Sequence, residues 1–409
     1  MENRRDVLVL LTATYPFGQK SETFLDDELP VLARHFARVI VVPSQREEVV
    51  RTMPEGVVCD TSLADVSRER GSREILKRPL FVLRQYALAL SEESRPQAYL
   101  RHPRTYLHLL DRQLSKYRAL RSLIVERGLR DALFYDYWLE NSTLALSWLR
   151  REGFIKRAVA RAHGFDLYDE RWEAGAAPFR AFKVAALDRV FAISAHGVRY
   201  LSERCPGSRG KITLSRLGVA APRPADAPVP SRTGGPAVIV SCASLVPFKR
   251  VERVPQVLAR IGRPLHWIHF GDGPSRHAVE QAASGLPPQV TWRLAGHVEH
   301  EEVFDYYRRN RVDLFISLSA SEGLPVSMME AISFGIPLLG TEVGGVAEIV
   351  TAHTGTLLAV DDSPDRFAAA ARRLLDGEGP TREEIRSFFG ANFEAERNFG
   401  EFAEMLHAV

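Results

Sequence analysis

Short apolar runs recur along the whole chain and alternate with segments whose apolar residues fall every three or four positions. Val7–Leu11, Val39–Val42, Ala132–Tyr135, Ala158–Ala162 and Val190–Ile193 predict buried strands in the first half. Val238–Cys242, Leu265–Phe270, Val290–Leu294, Asp313–Ser317 and Pro337–Gly340 do so in the second. Segments such as Asp26–Phe36 and Glu252–Ile261 predict helices between them. This alternation predicts the α/β class, with two Rossmann-like, doubly wound parallel sheets. Ala220–Gly235, rich in Pro, Ala and Gly, predicts an extended linker. The chain then divides into an N-terminal domain (1–219), a linker (220–235), a second domain (236–390) and a C-terminal helix (391–409) packing back towards the first domain. Ligands of doubly wound folds bind beyond the carboxyl ends of the strands, so a central cleft between the two domains is the expected site.

Composition narrows the class. The 409 residues exceed what one ordinary core organises, which agrees with two domains. No apolar run is long enough to span a bilayer, and Met1–Asp6 leads straight into a strand-like run without a signal-peptide pattern. Cys59, Cys205 and Cys242 are scattered, form no metal spacing, and suit a reducing, cytoplasmic setting. The net charge is +3, yet residues 67–130 carry fifteen Arg and Lys against six acidic residues. That helical, inserted region is a solvated face or a surface for anionic membranes. No nucleic-acid-binding module surrounds it, and nucleic acid is not an expected partner.

The chemistry concentrates in loops that follow predicted strands. Glu322 and Glu330 lie eight positions apart, separated by Gly323, Leu324 and Pro325. Pro325 disfavours helical backbone at Leu324 and suits the first helical position itself, placing Glu322 in a loop and Glu330 on a helix. The free N–H groups of that helix start would receive an anion, and two hydroxyl-accepting carboxylates beside it suit a polyhydroxylated phosphate ester. Lys249 and Arg250 form a cation pair after the first strand of the second domain. Gly271 and Gly273 flank Asp272 after another strand, and Gly344-Gly345 precedes the helical Val346–Val350, a reasonable phosphate cradle. In the first domain, His163 precedes the turn-forming Gly164 at a strand end, and the long loop Thr12–Thr23 holds Gly18 and Glu22.

These residues resemble a known family: the retaining family 4 glycosyltransferases of GT-B fold, among them those that build bacterial cell-surface polysaccharides. Glu322–Glu330 matches the family's E-x7-E signature. Leu245–Arg250, Gly271–Gly273, Val312–Ser317, Gly335–Pro337 and Gly344–Val350 fit beside it, as do Tyr15–Thr23, Phe134–Trp138, Arg161–Tyr168 and Arg216–Val219 in the first domain. The resemblance implies a nucleotide-diphosphate-sugar donor and a glycan or lipid-linked acceptor. Glu322 would contact the donor sugar, with sugar hydroxyls on the backbone of Gly323 and Leu324. Glu330 would hold the ribose, and Lys249 and Arg250 the diphosphate. Gly271, Gly273, Gly344 and Gly345 would line the donor site. His163 would face sugar and leaving phosphate, with Gly18 and Glu22 in the loop near the acceptor. Many members carry Arg five residues before the conserved Lys; Ser244 stands there in this chain, and Arg250 is its expected substitute.

The implied transfer retains anomeric configuration and needs no metal or other cofactor, the cations and helix N–H groups stabilising the departing diphosphate. The competing readings are a GT-B sugar-nucleotide epimerase, a phosphorylase, and a non-catalytic sugar-nucleotide-binding subunit.

Overall fold

The structure, a computed structural model, describes residues 7–18, 22–68, 74–93, 96–220 and 234–409. The linker expected at 220–235 falls outside the described residues except at its ends, as do Ser21 and residues 69–73 and 94–95 of the basic region. The chain forms two compact units, Met1–Leu217 with Glu396–Val409, and Gly218–Ala395.

The first unit is built on β1 (Val7–Thr12), β2 (Arg38–Pro43), β3 (Val57–Cys59), β4 (Leu133–Asp136), β5 (Arg157–Ala162), β6 (Arg189–Ala192) and β7 (Ile212–Leu214). They form one sheet in the order β3-β2-β1-β4-β5-β6-β7, every neighbouring pair parallel. Alternation along β1 shows why its run is apolar throughout. Leu8 and Leu10 enter the core on one face of the sheet, Val9 and Leu11 that on the other. The helix Ala395–His407 contributes Phe402, Ala403 and Leu406 to the Leu8 face. The described part of the basic stretch is largely helical, with Pro79–Glu92 and the 25-residue helix Pro103–Arg127 as its longest members.

The second unit holds β8 (Ala237–Cys242), β9 (Leu265–Phe270), β10 (Val290–Gly296), β11 (Leu314–Ser317), β12 (Leu338–Thr341) and β13 (Gly355–Leu358). Their order, β10-β9-β8-β11-β12-β13, repeats the first unit's winding, again with all pairs parallel. In each sheet the strand order reverses once, between β1 and β4 and between β8 and β11. Such reversals leave a crevice at the carboxyl ends of the two central strands.

Each of the ten expected strands is present, with ends shifted by no more than two residues. The helix expected at Glu252–Ile261 is shorter: a 3-10 turn at Val251–Arg253 leads into a helix at Val254–Leu258, with Pro255 in its first turn. The edge strands β3, β7 and β13 were not anticipated.

Candidate active site

The second unit brings Lys249 and Glu322 together at its switch point. Lys249 follows β8 on the turn Pro247–Lys249, and Glu322 follows β11, the adjacent strand. The Lys249 Nζ donates to both carboxylate oxygens of Glu322, at 2.6 and 2.8 Å. The Glu322 side chain is 8% exposed and that of Lys249 20%, so the pair is largely out of water. A charge-assisted contact of this kind is strong, and an incoming diphosphate has to share Lys249 with Glu322.

Glu330 lies on the helix Val326–Ser333, whose start follows Glu322. It is buried and accepts a 2.8 Å hydrogen bond from His300 Nε2, whose ring packs against Phe304 with centroids 4.4 Å apart and planes tilted by 48°. His300 opens the helix after β10 and was not among the expected site residues; no spacing links it to Glu330. Pro325 corrects one local expectation. It sits before the helix with extended backbone (ψ 109°), so Val326 is the first helical residue. No side chain caps this end, which leaves the first N–H groups of the helix to a ligand or solvent.

Two of the expected donor-site residues have protein partners. Arg250 has left-handed backbone (φ 48°), which turns its side chain inward. Its guanidinium donates to the carbonyls of Leu318 (2.7 Å), Val360 (3.1 Å) and Ser319 (3.4 Å). Arg250 therefore fastens the loop after β11. Gly345 is likewise committed, donating its N–H to the Gly323 carbonyl at 2.8 Å. Val346–Glu348 is a single 3-10 turn, shorter than the expected helical Val346–Val350, and Gly345 braces the Glu322 loop.

Gly271 and Gly273 are required by close approach. Their φ values are +132° and +157°, and a Cβ would stand 2.0 Å from the Ala243 carbonyl oxygen or 2.5 Å from that of Leu245. They let the loop after β9 lie against the loop that carries Lys249.

A buried chain of hydrogen bonds steadies the same loop. The Trp267 indole N–H donates to Ser241 Oγ (2.9 Å), and Ser241 Oγ lies 2.8 Å from His269 Nδ1. The Ala243 carbonyl beside Nε2 only accepts, so the neutral ring carries its proton on Nε2, and Nδ1 accepts from the Ser241 hydroxyl. The His269 Nε2–H then donates to the Ala243 carbonyl at 3.0 Å. Burial pushes the His269 pKa down to about 4. The unfolded chain, with an ordinary histidine, binds the proton first, so this contribution is complete above about pH 6.5 and is lost as pH falls towards 4. The expected loss is roughly 3 kcal/mol. Unfolding free energies at pH 7 and pH 4.5 for the native chain and His269→Gln check it: the variant shows the smaller acid loss.

In the first unit, His163 follows β5, and Trp138 follows β4. Asp166 accepts the backbone N–H of His163 at 2.7 Å and that of Leu139 at 2.9 Å, joining the two loops. The imidazole is 5% exposed, and neither ring nitrogen has a hydrogen-bond partner among the described residues.

Glu22 is corrected. Its carboxylate accepts the backbone N–H groups of Ala13 (2.7 Å), Thr14 (2.8 Å) and Tyr15 (2.8 Å) and the Trp138 indole N–H (2.7 Å). Those bonds occupy both oxygens, so Glu22 shapes the loop after β1 and has no capacity left for an acceptor. Gly18 adopts φ +76°, and a Cβ there would meet the Glu47 carboxylate at 2.2 Å. Among the described residues, no group of three or more His, Cys, Asp or Glu is placed to hold a metal ion.

Two doubly wound units with this strand order define the GT-B fold of glycosyltransferases. Solved structures agree over nearly the whole chain. The lipopolysaccharide outer core galactosyltransferase WaaB superposes with a TM-score of 0.69 at 15% identity, covering 98% of this chain and 99% of that one. HepE of Anabaena, solved in complex with UDP, superposes with 0.66 at 14% identity over 98% and 100%. Residues 223–388 match the sequence family Glycosyl transferases group 1. The amylovoran biosynthesis glycosyltransferase AmsK of Erwinia amylovora is 25% identical over 215 residues, 50% of this chain and 52% of its own length. The lipopolysaccharide core biosynthesis mannosyltransferase LpsB of Rhizobium meliloti is 37% identical over 81 residues, 19% and 22% of the two chains. The chain thus spans about half the length, or less, of these curated relatives.

Proposed function

We propose that the protein is a retaining glycosyltransferase of family 4 that moves a sugar from a nucleotide-diphosphate sugar to a glycan or lipid-linked acceptor in surface polysaccharide biosynthesis. The observation that carries this reading is the Lys249–Glu322 pair at the switch point, with Glu330 on the helix that follows. Lys249 and the uncapped helix start suit the negative charge of a departing diphosphate. Glu322 and Glu330 suit sugar and ribose hydroxyls. His163 is assigned a part in the same transfer, as a donor to sugar or phosphate oxygens. Retention is assigned to same-face attack, with the leaving phosphate taking the acceptor's proton. The cation and the N–H groups supply the charge a metal would otherwise bring, so the reaction is proposed to be metal-independent. The names of the relatives supply the pathway class, and the HepE complexes with UDP and UDP-glucose support a sugar nucleotide as donor. A thermal-shift screen of UDP-, GDP- and ADP-sugars tests the assignment, because a ligand bound by the folded state alone raises the melting temperature. One nucleotide class is expected to raise it in the native chain and not in Lys249→Met; the absence of any shift would count against the reading.

The acceptor side is proposed to work at an anionic membrane through the basic helices. No described helix is long and apolar enough to cross a bilayer. However, Leu80 (81% exposed) and Leu83 (65% exposed) share one face of the helix Pro79–Glu92, beside exposed Lys77, Arg78 and Arg84. Exposed leucines next to cations suit an interfacial helix, the leucines entering the headgroup region and the cations meeting anionic lipid. Flotation with phosphatidylglycerol-containing liposomes is expected to carry the protein at low salt, less so at high salt, and less for Leu80→Glu with Leu83→Glu. Absence of flotation at low salt would remove the membrane assignment.

A further inference from the structure

A histidine that works on a substrate is usually oriented by a hydrogen bond to one ring nitrogen. His163 has none. Asp166 spends its carboxylate on two backbone N–H groups, and its Oδ2 lies 3.7 Å from His163 Nδ1, beyond hydrogen-bond length. What holds the imidazole is its neighbours' rings. The Tyr137 centroid lies 4.8 Å from that of His163 and the Trp138 centroid 4.4 Å, both tilted by 44°. Trp138 is in turn fixed by its indole N–H bond to Glu22, a carboxylate 4% exposed and anchored by three backbone N–H groups of the loop after β1.

We propose that Trp138, tethered by Glu22, is a positioning residue that sets the orientation of His163 by ring packing, in place of a hydrogen bond to either imidazole nitrogen. The inference rests on the assignment of His163 to the transfer reaction. It accounts for three features together. Glu22 is buried with its carboxylate bonded to three backbone N–H groups. Among the described residues, the Trp138 indole is the one side-chain nitrogen bonded to that carboxylate. Both nitrogens of the buried imidazole are without a hydrogen-bond partner among the described residues. It also explains why Trp is suited to position 138. Phe would keep a face for His163 and lose the tether; Leu would lose both.

The test compares Trp138→Leu and Trp138→Phe in the full chain. With the donor that binds, Trp138→Leu is expected to lower kcat by about 10- to 100-fold, with donor KM within about twofold of the native value, and Trp138→Phe to recover part of the loss. Nitrogen-15 spectra of selectively labelled histidine provide a readout that does not need turnover. The His163 ring signals should change in Trp138→Leu and return towards native in Trp138→Phe, while other histidine signals stay in place. A native kcat in Trp138→Leu, or unchanged His163 ring signals in that variant, would overturn the proposal. If the native chain itself transfers no sugar, the functional assignment fails, and the spectra still decide whether Trp138 orients the imidazole.

Discussion

Glu322→Gln is expected to keep or tighten nucleoside diphosphate binding while sugar transfer falls by about 100-fold or more. Lys249→Met is expected to weaken both. The opposite directions follow from the 2.6 and 2.8 Å contacts between the two groups. In the ligand-free protein Glu322 neutralises Lys249, so a diphosphate gains that cation only by competing with a carboxylate. Removing the carboxylate's charge lifts the competition, yet it also takes away the group placed for the donor sugar. Removing Lys249 takes away the cation and leaves a nearly buried carboxylate without its partner, so some loss of stability accompanies the loss of binding. Calorimetric titration with UDP, beside a turnover assay, separates the outcomes. Parallel losses in the two variants would mean that the pair only supports the loop.

The second large effect lies in the first unit. Arg161 of β5 and Glu28 of the helix Leu25–His35 form an ion pair whose side chains are both 0% exposed. Tyr135 donates to Glu28 at 3.1 Å, Arg161 donates to Ser215 at 3.0 Å, and the guanidinium lies 3.9 Å over the Phe402 ring of the C-terminal helix. Glu28→Ala leaves a guanidinium buried without its counter-charge, at an expected cost of about 3–5 kcal/mol. The double variant Glu28→Leu with Arg161→Met removes both charges and is expected to be more stable than Glu28→Ala, because two desolvation penalties go with the pair. Denaturant unfolding measures this directly. A double variant less stable than the single would show that the pair is net favourable beyond its desolvation cost.

Much of this architecture was legible from the sequence because central parallel strands are apolar on both faces. Val7–Leu11 has no other reading in a chain that alternates this way. The edge strands Val57–Cys59, Ile212–Leu214 and Gly355–Leu358 escaped because they are short and carry few apolar residues, their pairing being supplied by a neighbour already in place. The loop positions of Lys249 and Glu322 and the helical position of Glu330 were legible because strand-like runs precede the first two and Pro325 marks the helix start before the third. Arg250 and Glu22 have structural contacts the sequence did not show, for one shared reason: main-chain groups of the loops around them needed partners, and the charged side chain supplied them. Neither demand is visible in residue type. His300, fourth after Gly296 in a different loop, meets Glu330 only through the fold.

The most direct test of the central claim follows nucleoside diphosphate release from the donor class selected by thermal shift, together with mass-spectrometric detection of a glycosylated lipid or glycan acceptor, in the presence of chelator. The native chain is predicted to release the nucleotide and form the product with chelator present, and Lys249→Met and Glu322→Gln to do neither at a comparable rate. Turnover retained in both variants, or turnover abolished by chelator and restored by a divalent metal, would contradict the account.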